Sequence, residues 1–89
     1  MKAVITVTGK DVVGIIAKVS AVCNEEHANI VDISQSVLKE YFAMIMVVEI
    51  DTLTKDFTAF AARMKKLGEE NNLVIHAIHE DVFNAMHHI

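Results

Sequence analysis

The fold class this sequence predicts is an α+β sandwich: an antiparallel four-stranded sheet, two helices on one of its faces, and a short C-terminal tail helix. Three observations predict it. Four segments are β-branched or alternately apolar, as strands are. Two others repeat their apolar residues at helical spacing, and the two kinds follow one another as β-α-β-β-α-β. Two helices alternating with strands around one hairpin is the split βαβ, ferredoxin-like arrangement.

The first strand is expected over 2–8, where Val4, Ile5, Thr6, Val7 and Thr8 are β-branched. Gly9-Lys10-Asp11 breaks the pattern, and Asp11 is a candidate N-cap for a helix starting near Val12 and running to about His27. Ile16, Val19, Ser20 and Cys23 share one face of that helix, with Ile15 and Val22 off the stripe. Asn29 is the candidate left-handed residue at its end.

The second strand, 30–38, points Val31, Ile33 and Val37 one way and Asp32, Ser34 and Ser36 the other, with Gln35 interrupting the apolar face. Lys39-Glu40 is the expected hairpin turn. In 41–51, Phe42, Met44, Met46, Val48 and Ile50 alternate with Ala43, Ile45 and Val47. Both faces are apolar, so this strand is central.

Thr54 or Asp56 caps the second helix, whose buried stripe is Phe57, Phe60, Ala61, Met64, Leu67 and Gly68. Asn71-Asn72 ends it, and 73–79 is the last strand. Val82, Phe83, Met86 and Ile89 stand at helical spacing in the tail. The expected organisation is a domain at 1–80 and a tail at 81–89. Right-handed crossovers put both helices on one sheet face and the first and third strands in the middle. The other face then needs a cover, either the tail or a second subunit, and a homodimer to which the tail contributes is expected.

Composition narrows the function classes. The chain has 89 residues, enough for one core, and is 53% hydrophobic with a net charge of −4. No basic cluster exceeds Lys65-Lys66, which argues against direct nucleic-acid binding. No apolar run approaches a membrane span, and the N-terminal run is too short for a secretory signal. A lone cysteine, Cys23, fits a reducing, cytoplasmic setting and is most simply a small core hydrophobe.

Three pieces, in this order, carry a resemblance. Val7-Thr8-Gly9-Lys10-Asp11-Val12-Val13-Gly14-Ile15-Ile16-Ala17-Lys18-Val19 resembles the first strand, loop and helix start of the ACT domain family. Ala28-Asn29-Ile30-Val31-Asp32-Ile33-Ser34-Gln35 resembles its second-strand entry, and Tyr41-Phe42-Ala43-Met44 the strand after the hairpin. The likeness covers roughly 3–79 and is nearest to a single-domain group related to the ACT modules of the glycine-cleavage repressor. One departure is Val13, which stands where related sequences often carry proline.

The resemblance implies a regulatory module that binds an amino acid or similar small effector between subunits, without catalysis and without a cofactor. Carried over by position, the ligand contacts are Asp11, Val12, Gly14 and Ile15 in the first loop, Asn29, Ile30 and Val31 at the second strand, and Gln35 beyond them. The chemistry suits a zwitterion. A helix N-terminus offers N–H groups to a carboxylate, Gly14 allows close approach, Asn29 both donates and accepts, and Asp11 or Asp32 meets an ammonium group. Each also has a purely structural reading: Gly14 as a packing glycine, Asp11 as an N-cap, Asn29 as a helix terminator.

Other constellations argue little. His76 and His79 fall on opposite sides of a strand, and His87-His88 are poorly placed for joint ligation, so no metal site is expected. Glu25-Glu26 and Glu69-Glu70 read as solvated neighbours, and Arg63 as solvent-facing. A small acylphosphatase of this fold needs an arginine in the first loop, where this chain has only Lys10. An effector-binding module therefore stands ahead of a protein–protein interaction subunit with an unknown partner, and both ahead of an enzyme.

Overall fold

The computed structural model of the chain describes residues 1–10 and 13–86. Its elements are β1 (Lys2–Gly9), α1 (Ile15–Glu25), β2 (Asn29–Leu38), β3 (Tyr41–Glu49), α2 (Phe57–Glu70), β4 (Val74–His79) and α3 (Glu80–Met86). The strands form one antiparallel sheet in the order β2-β3-β1-β4. This is the expected ferredoxin-like topology, with the first and third strands inside.

Register sorts the side chains into rows. Ala77, Ile5, Met46 and Ile33 are successive cross-strand partners, as are Ile75, Val7, Met44 and Gln35. These rows face the helices. The core is built from their β1, β3 and β4 members with Ile15, Val19 and Cys23 of α1 and Phe60 and Met64 of α2. On the opposite face the rows are Ile78–Val4–Val47–Asp32, His76–Thr6–Ile45–Ser34 and Val74–Thr8–Ala43–Ser36. On that face β3 is apolar, β2 is polar, and β1 and β4 are mixed, with Thr6, Thr8 and His76 among Val4, Ile78 and Val74. α3 lies over its β1–β4 side, leaving Val4 only 2% exposed. The tail is thus a partial cover for the second face.

α1 departs from expectation in two ways. It begins at Ile15, three residues late, because Gly14 is its N-cap with φ of 77°, a left-handed conformation that no α-helix can run through. Asp11 and Val12 lie outside the described residues. Its buried stripe is Ile15, Val19, Val22 and Cys23, while Ile16 is 37% exposed. The period through Val19 and Cys23 admits either neighbour, and packing selects Val22 over the hydroxyl-bearing Ser20.

Both long helices end in the same way. His27 has φ of 63°, its N–H donates to the Asn24 carbonyl, and the Ala28 N–H donates to the Cys23 carbonyl at 2.8 Å. Asn72 has φ of 58°, with Leu73 N–H donating to the Gly68 carbonyl at 2.8 Å. These are Schellman endings. The left-handed residue after α1 is therefore His27, and Asn29, expected in that role, already begins β2. At the other end of α2 the expected Asp56 cap accepts from the Ala59 N–H at 2.9 Å.

β2 carries a bulge between Ile30 and Asp32. The extra residue, Val31, re-phases the strand, so that Ile30 and Ile33 both take helix-side registers opposite Val48 and Met46. A strict alternation had put Val31 with Ile33. Apart from the half-buried Ile30, every β2 side chain is exposed.

Three charges also sit differently from the sequence reading. Glu26 is buried, and with Glu25 it converges on Arg63: Arg63 Nη1 donates to Glu26 Oε2 at 2.6 Å and Nη2 donates to Glu25. Thr54 Oγ1 donates to Glu26 Oε1 at 3.1 Å. Arg63, helped by Thr54, holds the Glu26 carboxyl below the usual carboxylate range. Sequence adjacency hid this cluster because Arg63 reaches it from another helix. Among the described residues no helix is long and apolar enough to cross a membrane.

Candidate functional site

The residues singled out in the sequence fall into two groups at opposite ends of α1. Gly14 and Ile15 stand at its N-terminus, and Asn29, Ile30 and Val31 follow its C-terminus. The eleven-residue helix lies between Gly14 and the second group, about 16 Å along the axis at 1.5 Å per residue. A single copy of the chain does not bring the two groups together.

The N-terminal half is shaped by Gly14. A Cβ built there meets nothing within 4 Å among the described residues, and the positive φ is what asks for glycine at this position. Gly14 brings no side-chain cap to α1, and the first turn carries no acidic residue. A helix start of this kind leaves N–H groups without helical partners at the positive end of the dipole, a setting that favours a carboxylate. Beside them is a hollow of about 210 Å³ lined by Val13, Ile15, Lys18, Asn71 and Leu73. Lys18 Nζ donates to Asn71 Oδ1 at 2.7 Å, and Asn71 Nδ2 donates to the Leu67 carbonyl at 2.8 Å. Lys18 thus adds a held cation one turn from Gly14. The sequence reading missed it, although Gly14 and Lys18 are four apart and so share a helix face.

The C-terminal half is a shallow hollow of about 410 Å³ lined by Asn24, His27, Ala28, Asn29, Glu49 and Thr52. Thr52 Oγ1 donates to the His27 carbonyl at 2.8 Å and fixes the turn that leads into Asn29. Asn29 pairs with Glu49 in the sheet, which places a carboxylate beside its amide. Among the described residues that line this half, Glu49 is the carboxylate. Asp32, one of the two residues expected to meet an ammonium group, is in register with Val47 on the face away from the helices, and its Oδ1 accepts from the Ile33 N–H. Gln35 is exposed, on the helix side of the sheet in the row with Met44. Around these groups the surface is apolar: Val31 is 49%, Ile33 36% and Val37 71% exposed.

The histidines do not combine. His79 stacks on Phe57, ring centroids 4.1 Å apart, on the helix side, whereas His76 lies on the other face. His87 and His88 lie outside the described residues, among which no group of three or more His, Cys, Asp or Glu is placed to hold a metal ion.

The described residues form a ferredoxin-like sandwich with a glycine at the N-cap of its first helix and polar groups at that helix's two ends, the frame of a small α+β module. The comparisons with known proteins make the assignment specific. The ACT domain family model matches residues 2–77, and the chain belongs to the ACT domain family. A UPF0237 protein of Clostridium perfringens is 48% identical over 89 residues, 100% of both chains. The solved structure of an ACT domain protein from Streptococcus pneumoniae superposes with a TM-score of 0.81 at 44% identity, covering 93% of each chain. A formyltetrahydrofolate deformylase from Pseudomonas syringae matches with a TM-score of 0.76 at 25% identity, over 86% of this chain but 27% of that one.

Proposed function

We propose that this chain is a regulatory module of the cytoplasm that binds a free amino acid between two copies of itself and passes the event to a protein partner. The observation that carries the reading is the separation of the two site halves along α1. A two-fold axis crossing α1 near its middle lays the helices of two copies antiparallel. Gly14 and Ile15 of one copy then approach Asn29, Ile30 and Val31 of the other, and the gap is closed twice over. The exposed Ile16 of α1 and the exposed Ile33 and Val37, in helix-side registers of β2, supply apolar surface that such an association buries. β2 is an edge strand and offers its unpaired backbone to the same partner.

Within the completed site the α1 N-terminus and Lys18 receive the carboxylate, and Asn29 with Glu49 of the other copy receives the ammonium group. Asp11, Val12 and Gln35 keep their proposed ligand-side roles from the family resemblance. In this reading 1–80 is the family domain and 81–89 an addition to it.

The test is isothermal titration of the protein amino acids, with sedimentation velocity on the same samples. At least one amino acid is expected to bind, one per chain, with Asn29→Ala weakening it about tenfold while the dimer persists. A dimer that accepts no amino acid would sink the ligand assignment, and a monomer at all concentrations would sink the shared site.

A further inference from the structure

The second face of the sheet holds a feature that an amino-acid sensor does not need. Between α3 and the sheet lies a cavity of about 350 Å³, room for roughly ten water-sized groups. Ile45 and Ile78 form its floor, and Phe83 and Met86 of α3 form its far wall. Three polar side chains line it as well: Thr6, Thr8 and His76. Thr6 and His76 are direct cross-strand partners, and Thr8 is two residues along β1 on the same face, so the three are clustered by the sheet register.

The composition of this lining selects a ligand chemistry. The apolar walls suit a hydrocarbon or aryl body. Each polar group can donate a hydrogen bond, through a threonine hydroxyl or an imidazole N–H. Among the described residues that line the cavity there is no carboxylate, so an ammonium group has no countercharge there. The cavity is therefore matched to an acceptor head on an apolar body and mismatched to a zwitterion. It is also on the opposite side of the sheet from α1, and none of its lining residues is among those assigned to the amino acid.

The geometry points to a second binding site, under α3, for a small apolar monocarboxylate, its carboxylate on His76, Thr6 and Thr8 and its body against Ile45, Ile78 and Phe83. The site is built within one chain and stands or falls separately from the shared amino-acid site.

The experiment is an amide-and-methyl NMR titration of the full chain with octanoate, with octylamine and glycine run in parallel. Octanoate is expected to shift Thr6, Thr8, Ile45, Ile78 and Phe83 at submillimolar concentration, and octylamine at least tenfold more weakly. His76→Ala should weaken octanoate about tenfold with the remaining spectrum intact. Ile45→Trp, which fills the cavity from an exposed position, should abolish the shifts. Four outcomes would overturn the proposal: no shift up to several millimolar octanoate, shifts confined to residues around Gly14 and Asn29, equal binding of octylamine, or dissociation of a dimer by Ile45→Trp, which would make this face a subunit interface.

Discussion

Replacing Gly68 by alanine opposes two effects whose balance the structure decides. Gly68 lies in the last turn of α2, and on helix propensity alone the substitution gains about 1 kcal/mol. Its new methyl, however, would sit 2.7 Å from the Leu73 carbonyl oxygen and 3.0 Å from both Ile75 N and Ile75 Cγ1. Two of these three atoms are backbone. Leu73 is held by its own N–H, which donates to the Gly68 carbonyl at 2.8 Å, and Ile75 is paired with Val7 inside the sheet. The seam between α2 and β4 cannot open without moving the ladder, so the overpacking cost of about 1–3 kcal/mol outweighs the propensity gain. Gly68→Ala is expected to lose up to about 2 kcal/mol net, with each kcal/mol lowering Tm by about 4–8 °C in a domain of this size. Urea unfolding should show a lower midpoint at unchanged slope. The contrast is Gly14→Ala, where no atom stands in the way and only the positive φ resists, at about 1–2 kcal/mol, with Gly14→Asn cheaper. If Gly68→Ala melts at or above the parent temperature, the argument from backbone rigidity is wrong.

Three further predictions follow from local geometry. Asp56→Ala removes the side-chain cap of α2 and should lower stability by about 1 kcal/mol in urea titration, with Asp56→Ser recovering most of it. Burial pushes the Cys23 thiol up to about 11, so a disulfide reagent at pH 8 should label it only as fast as the chain unfolds, and prompt labelling of folded protein would contradict its placement. Glu26 has a lowered folded-state value, so the stability it contributes is present above the ordinary carboxylate range and is lost as the pH falls through the folded value. Arg63→Met should flatten that acid limb in chemical melts between pH 5 and 2; an unchanged pH slope would mean that the Glu26–Arg63 pair contributes nothing.

Much of this fold was legible because apolar period and topology agree. The doubly apolar β3 lay where element order required a central strand, and the stripe through Phe60 and Met64 matched burial closely. α1 was readable in existence but not in phase, since Ile15 and Ile16 are adjacent and only the sheet decides which is buried. The helix start was misplaced because a left-handed Gly14 and a helical one look alike in sequence. The bulge at Val31 left no mark that strict alternation could detect. In the candidate site, Gly14 and Asn29 were singled out through family likeness, whereas the hold on Lys18 depends on Asn71, more than fifty residues away. The Glu25–Glu26–Arg63 cluster was hidden for the same reason.

The wetness of β2 has a consequence for how this molecule divides its labour. A strand whose side chains are nearly all in water does little to hold its own chain together through them; its contribution to folding comes from backbone pairing with β3 on one edge. Side chains along it can therefore be exchanged with small effect on the stability of a lone copy. The amino acids at these positions are free to be chosen for whatever the strand meets, so sequences that share this frame can differ widely along β2 while folding alike.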